Sequence, residues 1–241
     1  MNGPLRSLTL AAVSLVAALA FAQEKPIDKL SQGKYVQVNG MKMYYEAHGQ
    51  GRPLVLLHGS FGTADSWGTL LPTLEKKRRV IVVELRGHGR TGGLDRPLTA
   101  EGMADDTAAL LKELKIEKAD VFGYSMGGKV ALALAIRHPE AVGRVAILGS
   151  SMGSMKDTYE EASYAQFMSI TPETFNFPQV KDPYTKVAPD PSKWPDLVKG
   201  IREMGLSFKG YTDEQAKGIQ CPMLIMFGDR EGIRLEHAVE M

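Results

Sequence analysis

The chain has 241 residues, with 29 Lys and Arg side chains against 28 Asp and Glu side chains. This length is enough for one large domain with a core of ordinary size, and the balanced charge gives no electrostatic basis for binding nucleic acid or an anionic membrane surface. Cys221 is the sole cysteine, so the chain cannot form an internal disulfide.

The N-terminal segment has the three parts of a secretory signal peptide. Arg6 supplies a positive charge, residues 8–20 are mainly apolar, and residues 20–22 offer small side chains around a cleavage point. The apolar run is shorter than a helix that spans a bilayer requires. We therefore expect residues 1–22 to be removed and the protein to be exported, to the periplasm or the medium, with no membrane attachment after cleavage.

The first predicted elements after this segment are strands. Segments 34–38 and 41–47 are predicted as strands, and the Asn39-Gly40 dipeptide between them is typical of the tight turn of a β-hairpin. Residues 54–57 form a continuous apolar run, which is typical of a strand that is buried on both faces of a largely parallel sheet.

Helices and strands then alternate as far as residue 150. Apolar stripes with helical spacing predict a helix over 67–74 and another after Thr99, whose side chain can cap it. Further strands are predicted at 80–83 and 145–148. This alternation predicts an α/β fold with a mostly parallel sheet and right-handed crossovers, to which the hairpin adds an antiparallel edge.

Segment 119–136 contains a Gly-x-Ser-x-Gly motif between an apolar strand and a helix of small residues. A sharp turn from strand to helix would hold Ser125 at a strained backbone angle with its Oγ pointing outward. Gly123 and Gly127 stand two residues to either side, where a Cβ would collide across the turn. Ser125 would also lie at a helix N-terminus, where free N–H groups favour developing negative charge. We interpret this segment as a nucleophile elbow.

The pattern changes between Met152 and about Gln220. This segment mixes methionines with aromatic residues, and six prolines divide it into short helices. We predict a helical cap over residues 151–220, inserted after the sixth strand and lining a mostly apolar pocket above Ser125. A strand at 222–227 then returns to the sheet.

Four short motifs follow one another along the chain. They are His58-Gly59-Ser60-Phe61-Gly62, Arg86-Gly87-His88-Gly89, Gly123-Tyr124-Ser125-Met126-Gly127-Gly128 and Gly228-Asp229-Arg230-Glu231. In this order they resemble the α/β-hydrolase superfamily, and most of all its small capped bacterial serine hydrolases, the proline-iminopeptidase-like and enol-lactonase-like group. The resemblance covers roughly residues 35–241 and implies a core in two parts, 34–150 and 221–241, on either side of the cap.

The resemblance also implies a catalytic triad in the chain order serine, acid, histidine. Ser125 would be the nucleophile. The acid would follow the strand at 222–227, where Glu231 holds the position at which the relatives usually carry Asp. Asp229 is the alternative acid, because it lies in the same turn.

The oxyanion hole implied by the resemblance uses two backbone N–H groups. One belongs to Met126, the residue after the nucleophile, and the other to Ser60, with Phe61 as the alternative. His58 would brace the loop that carries this second donor. The resemblance implies no metal ion and no other cofactor.

The triad histidine has no clear counterpart in the sequence. The resemblance requires it in a loop after a further helix and strand, and only ten residues follow Glu231, fewer than such a unit needs. His237 lies in what is predicted as the start of that helix, and the other histidines are expected to have structural roles. We therefore expect the chain to be C-terminally truncated, without the final helix, strand and catalytic histidine, and expect 223–227 to be an exposed apolar sheet edge.

The function implied by the resemblance is hydrolysis of a small apolar ester, lactone or amide through an acyl-enzyme on Ser125, as in carboxylic-ester hydrolases. Two alternatives stay open. The missing histidine favours a non-catalytic protein of the same fold that binds a small apolar ligand under the cap. A perhydrolase or a cofactor-free haloperoxidase would use the same triad.

Overall fold

The structure is a computed structural model that describes residues 33–241, so the predicted signal peptide, residues 1–22, lies outside the described residues. Within this range the strands are β1 (Lys34–Val38), β2 (Met41–His48), β3 (Pro53–Leu57), β4 (Arg79–Val83), β5 (Ala119–Tyr124), β6 (Val142–Leu148) and β7 (Met223–Met226). They form one sheet in the order β1-β2-β4-β3-β5-β6-β7. β4, β3, β5, β6 and β7 are parallel, whereas β1 and β2 are antiparallel to their neighbours. The predicted α/β fold with an antiparallel edge is therefore confirmed.

The helices of the described residues lie between these strands and after the last one. They are α1 (Leu71–Leu74), α2 (Ala100–Glu113), α3 (Met126–Arg137), α4 (Met155–Thr158), α5 (Glu161–Met168), α6 (Pro178–Val187), α7 (Trp194–Ser207), α8 (Asp213–Lys217) and α9 (Leu235–Glu240). Short 3₁₀ helices cover Ala64–Trp67, Pro139–Ala141 and Pro191–Lys193. Helices α4 to α8 lie between β6 and β7, in the segment 151–220 that we call the cap.

Local sequence explains two of these elements directly. Asn39 and Gly40 have φ angles of 46° and 81°, the left-handed conformation that a two-residue hairpin turn requires. The Thr99 side chain accepts a 3.0 Å hydrogen bond from the N–H of Gly102 and so caps α2 as predicted.

The helix predicted over 67–74 is wrong in its extent. The structure has a 3₁₀ helix that ends at Trp67, followed by the short helix α1 from Leu71 to Leu74. Pro72 has no N–H to bond to the carbonyl of Gly68, so a continuous helix would lack a hydrogen bond at this point. The apolar stripe is nevertheless used, because Trp67 and Leu71 are buried.

The central strands are buried on both faces of the sheet. Val55 and Leu57 of β3 pack on the face that α2 and α3 cover, whereas Leu54 and Leu56 pack on the opposite face with Trp67. Since β3, β5, β6 and β7 are parallel, their carboxyl ends lie at one edge of the sheet. Among residues 33–241, no helix has both the length and the apolar character that crossing a bilayer demands.

Candidate active site

Ser125 occupies the turn between β5 and α3. Its φ and ψ angles are 52° and −115°, a strained conformation for a residue with a Cβ. Its N–H donates a 2.9 Å hydrogen bond to the carbonyl of Leu148. A Cβ on Gly127 would lie 2.0 Å from the carbonyl oxygen of Leu57, and one on Gly123 would lie 2.2 Å from the carbonyl oxygen of Gly127. The tight turn therefore needs both glycines, for the steric reason that the motif suggested.

Two backbone segments with N–H groups lie beside Ser125. Met126 is the first residue of α3, so its N–H has no acceptor within the helix. A turn from Gly59 to Gly62 follows β3 and is closed by a 3.1 Å hydrogen bond between these two residues. A Cβ on Gly59 would lie 3.3 Å from the Cβ of Ser125, which puts this turn directly against the serine.

Both residues considered for the second oxyanion donor lie within this turn. Ser60 is half-buried, and Phe61 is buried with a φ of 64°. The Phe61 ring packs against two cap residues, Phe175 at 4.6 Å and Trp194 at 5.4 Å between ring centres. The cap thus holds the turn in place through the side chain of Phe61.

His58 braces the turn from below. Its Nδ1 donates a 2.8 Å hydrogen bond to the carbonyl of Gly59, and its Nε2 accepts a 3.1 Å hydrogen bond from the N–H of Leu85. Burial lowers the pKa of His58 to about 4, so the ring is neutral at neutral pH. His88 lies 5.0 Å away between ring centres, and burial followed by the charge of His58 lowers its pKa to about 3. Both histidine rings therefore form hydrogen bonds to backbone groups of the protein.

Glu84 is a second brace that the sequence analysis missed. It follows β4, is fully buried, and accepts hydrogen bonds from the N–H of Ala64 at 3.0 Å and from Arg90 Nη1 at 2.5 Å, as well as from the Arg90 N–H. Burial raises the pKa of this carboxyl despite these donors. The only signal in the sequence was a charged residue directly after an apolar strand.

Glu231 lies in the loop after β7 and faces the ends of the neighbouring strands. Its Oε1 lies 2.8 Å from the point that a Cβ on Gly149 would occupy, and it accepts a 3.4 Å hydrogen bond from the N–H of Gly228. Burial, followed by the charge of Glu231, raises the pKa of Tyr124 to about 12 and also raises that of Tyr159. The two tyrosines therefore belong to the surroundings of the carboxylate, and the sequence analysis missed both.

The neighbouring Asp229 is exposed. Two hydrogen bonds join the loop around Glu231 to the cap. The Glu160 N–H donates to the carbonyl of Gly232, and the Arg234 N–H donates to the carbonyl of Thr158, each at 2.8 Å. Of these two carboxylates, Glu231 is the one that lies against Gly149 at the end of β6, whereas Asp229 is exposed.

The rings of the five histidines of the chain, all in its described part, hydrogen-bond to groups other than Ser125. On α9, His237 accepts a 3.3 Å hydrogen bond from the N–H of Met152 through its Nε2. His48 and His138 pair with carboxylates at 2.9 and 2.8 Å. The structure therefore brings Ser125, the Gly59–Gly62 turn and Glu231 to one edge of the sheet without a histidine bonded to the serine.

A cavity within the cap and a cleft on the core are lined by residues other than Ser125. One, of about 320 Å³, lies within the cap and is lined by Met155, Tyr164 and Phe208 among others. The other, of about 650 Å³, is a cleft against α2. Within residues 33–241 no cluster of three or more His, Cys, Asp or Glu side chains is placed to hold a metal ion.

Comparison with known proteins gives a consistent result. The sequence profile of the alpha/beta hydrolase fold family matches residues 52–182, more than half of the chain. 2-Hydroxymuconate semialdehyde hydrolase from Pseudomonas sp. strain CF600 is 37% identical over 126 residues, which are 49% of this chain and 44% of that protein. The chain thus spans less than half the length of this curated relative.

Two solved structures share the fold. The enol-lactonase from Burkholderia xenovorans LB400 superposes with a TM-score of 0.65 at 23% identity over 81% of both chains. Est816, described as an N-acyl homoserine lactone degrading enzyme, superposes with a TM-score of 0.63 at 25% identity over 80% of both chains. The strand order, the turn at Ser125 and the matched span together show that this chain belongs to the alpha/beta hydrolase fold family.

Proposed function

We propose that this chain belongs to an exported serine hydrolase that cleaves a small apolar ester, lactone or amide through an acyl-enzyme on Ser125. The observation that carries the proposal is the strained turn at Ser125, which stands at the start of α3 and against the Gly59–Gly62 turn. A substrate carbonyl attacked by the Oγ at this position would have nearby N–H groups of the kind that stabilise an oxyanion.

In the proposed reaction, the Ser125 Oγ attacks the acyl carbonyl carbon while its proton passes to a general base. The oxyanion accepts hydrogen bonds from the N–H of Met126 and from that of Ser60 or Phe61, and loss of one such donor typically costs about 2.7–4 kcal/mol. Collapse of the intermediate breaks the bond to the alcohol or amine, which takes the proton from the base. Water, deprotonated by the same base, then attacks the acyl carbon. The bond from this carbon to the Ser125 Oγ breaks, and the base returns the proton to that oxygen as the acid leaves.

The proposed acid is Glu231, which would orient a histidine ring and stabilise its protonated form. The chain's own histidines bond to other groups, so the proposed general base is a histidine outside these 241 residues. Without that base, Ser125 would keep only the contributions of the oxyanion hole and of substrate binding.

The aromatic residues that join the cap to the turn beside Ser125 support the proposal that the substrate is apolar. Phe61, Phe175 and Trp194 are all buried and in mutual contact. The similar proteins are named for a semialdehyde, an enol-lactone and N-acyl homoserine lactones, all of them small organic molecules.

Export is the part of the proposal that depends on residues 1–22. N-terminal sequencing of the protein recovered from the periplasm or the medium should begin at Gln23. Recovery of the full sequence from Met1 in the cytoplasm alone would contradict export.

A non-catalytic protein of the same fold is the second candidate. It is supported by the hydrogen bonds of the described histidines, which go to groups other than Ser125. Such a protein would bind a small apolar ligand under the cap without turning it over.

Labelling of Ser125 by a fluorophosphonate, together with hydrolysis of p-nitrophenyl acetate, tests the hydrolase. A form extended beyond Met241 in its reading frame should be labelled and should hydrolyse the ester, and Ser125→Ala should abolish both. Ser207→Ala is the matched control, because its exposed hydroxyl bonds only to the carbonyl of Met204 at 3.3 Å. The 241-residue chain should not be labelled.

The possible outcomes separate the candidates. Equal hydrolysis by the Ser125→Ala variant would remove Ser125 as the nucleophile. Labelling of the 241-residue chain would show that a general base lies within it. An extended form that binds the ester without hydrolysing it would favour the non-catalytic protein.

A further inference from the structure

Lys129 is a buried lysine whose amine has no carboxylate partner among residues 33–241. It lies on α3, one helical turn beyond Ser125, and is 8% exposed. Its Nζ donates hydrogen bonds to the Ser151 carbonyl at 3.1 Å, to the Ser151 Oγ at 2.8 Å and to the Gly153 carbonyl at 3.3 Å. The Phe208 ring covers it, with 4.5 Å between Nζ and the ring centre. The three oxygens that accept hydrogen bonds from this amine all belong to uncharged groups.

The partners of Lys129 lie where the two ends of the cap meet. Gly153, just after β6, forms an antiparallel bridge with Gly210 near the end of the cap. Beside this bridge, the Tyr211 N–H donates a 2.8 Å hydrogen bond to the carbonyl of Met152. The Tyr211 hydroxyl donates at 2.9 Å to the carbonyl of Lys129 itself. Both ends of the cap thus depend on one residue of α3.

We call residues 151–153 and 210–211 the cap base. We propose that Lys129 is a protonation-dependent anchor of the cap base, and that acidification releases the cap base from α3. The proposal is independent of the proposed hydrolase activity, because it concerns the attachment of the cap and not the chemistry at Ser125.

The linkage between protonation of Lys129 and opening of the cap base gives the direction of the pH dependence. Burial lowers the pKa of Lys129 to about 7, from an ordinary value of 10.5. When the cap base separates from α3, water reaches the amine and its pKa returns toward the ordinary value. Opening therefore takes up a proton between these two pH values, and each unit of acidification favours the open form about tenfold. Below about pH 7 the amine is charged in both forms and the dependence levels off.

Other ionisable side chains lie on the elements that pack against this amine. Tyr211 stays protonated because burial raises the pKa of its phenol. The charge of Glu101 raises this pKa further, and the charge of Arg137 lowers it. Lys209 is exposed at the end of the cap. His237, from α9, accepts a 3.3 Å hydrogen bond from the Met152 N–H of the cap base. His237 is therefore the group that an experiment has to separate from Lys129.

Amide hydrogen exchange of the intact chain tests the proposal. Protection of the Met152 and Tyr211 amides is measured from pH 6 to pH 9 and corrected for the intrinsic exchange rate at each pH, with strand β5 as the internal reference. Protection at the cap base should fall about tenfold per pH unit from pH 9 to pH 7 and then level off. Protection in β5 should not change.

Three variants assign the effect. Lys129→Met has a side chain of similar length without an amine, so protection at the cap base should no longer depend on pH. Lys129→Arg stays charged over the whole range and should give low, pH-independent protection. His237→Gln should keep the slope of the parent protein between pH 7 and pH 9.

Three results would overturn the proposal. The first is protection of the cap base that does not depend on pH between 7 and 9. The second is a parallel loss of protection in β5, which would mean global unfolding. The third is that the His237→Gln variant no longer shows the pH dependence of protection at the cap base. If Lys129→Met does not fold, the profile of the parent protein and that of Lys129→Arg decide.

Discussion

At the scale of single residues, the site depends on how closely the backbone approaches itself around Ser125. A φ of 52° at a residue with a Cβ is strained by about 1–3 kcal/mol. The surrounding contacts hold it there: the Ser125 N–H is bonded to Leu148, and α3 begins directly against the end of β3 at Gly127.

Gly127→Ala tests this close approach. The new Cβ would lie 2.0 Å from the carbonyl oxygen of Leu57, and this backbone atom of a central strand has no room to move. We expect the free energy of unfolding to fall by about 3 kcal/mol, measured by urea denaturation. Gly92→Ala is the matched control, since no atom lies within 4 Å of its Cβ position, and it should change stability by less than about 0.5 kcal/mol. Equal losses in the two variants would contradict the steric account.

The sequence predicted these glycines but not the buried polar residues that hold the neighbouring loops and the cap. Gly123 and Gly127 act on atoms close to them in the chain, so motif spacing was sufficient. Glu84 and Lys129 act on distant residues, because Glu84 bonds to Ala64, 20 residues away, and Lys129 bonds to Ser151, 22 residues away. No local pattern records such partners.

At the scale of elements, an aromatic cluster attaches the cap to the core. Phe61 contributes from the turn after β3, Phe175 and Tyr184 from the middle of the cap, and Trp194 from the start of α7. The Trp194 Nε1 donates a 3.3 Å hydrogen bond to the carbonyl of Phe175, so its one polar group is satisfied in the buried cluster.

Trp194→Ala should loosen the cap before it affects the sheet. Trp194 is 2% exposed, and removal of a buried tryptophan side chain costs about 3–5 kcal/mol. We expect amide exchange to accelerate in α6 and α7 more than in β5, together with a lower urea midpoint by circular dichroism. Met168→Ala is the control within the cap, because Met168 is 37% exposed, and its effect should be small. A uniform acceleration over cap and sheet would mean that the cluster supports the whole domain instead.

Element positions were more predictable in the sheet than outside it. The strands follow continuous apolar runs. β3 and β4 begin one residue before the predicted positions, and β6 begins three residues before, at Val142. The helix expected over 67–74 was too long because Gly68 and Pro72 interrupt an apolar stripe that is otherwise helical in its spacing. The aromatic contacts of the cap were beyond prediction, since they pair residues from separate elements.

At the scale of the whole molecule, the described sheet has an apolar edge at β7. This strand pairs only with β6 in the described part of the chain, and its Leu224 is 55% exposed. Leu235 and Val239 on α9 are 67% and 87% exposed. An open apolar strand is a template for pairing with other chains.

Leu224→Lys should therefore make the 241-residue chain more soluble. The charge opposes edge-to-edge pairing, and the exposed position should keep the change in unfolding free energy below about 0.5 kcal/mol. Static light scattering over a concentration series checks the result. Leu70→Lys is the control, since Leu70 is 37% exposed and lies outside the strands. If both variants reduce scattering equally, the sheet edge is not the source of association.

Local patterns alone were enough to establish the α/β class, the hairpin, the strand-to-helix turn at Ser125 and the order of the four motifs. These features depend on apolar runs and on glycines a few residues apart, so short stretches of chain specify them. Folding in three dimensions was needed to place Glu231 against Gly149, to pair His237 with Met152 across 85 positions, and to bury Lys129 under the cap. The physical reason is that such contacts gain their free energy from packing and desolvation between distant segments, which no local pattern contains.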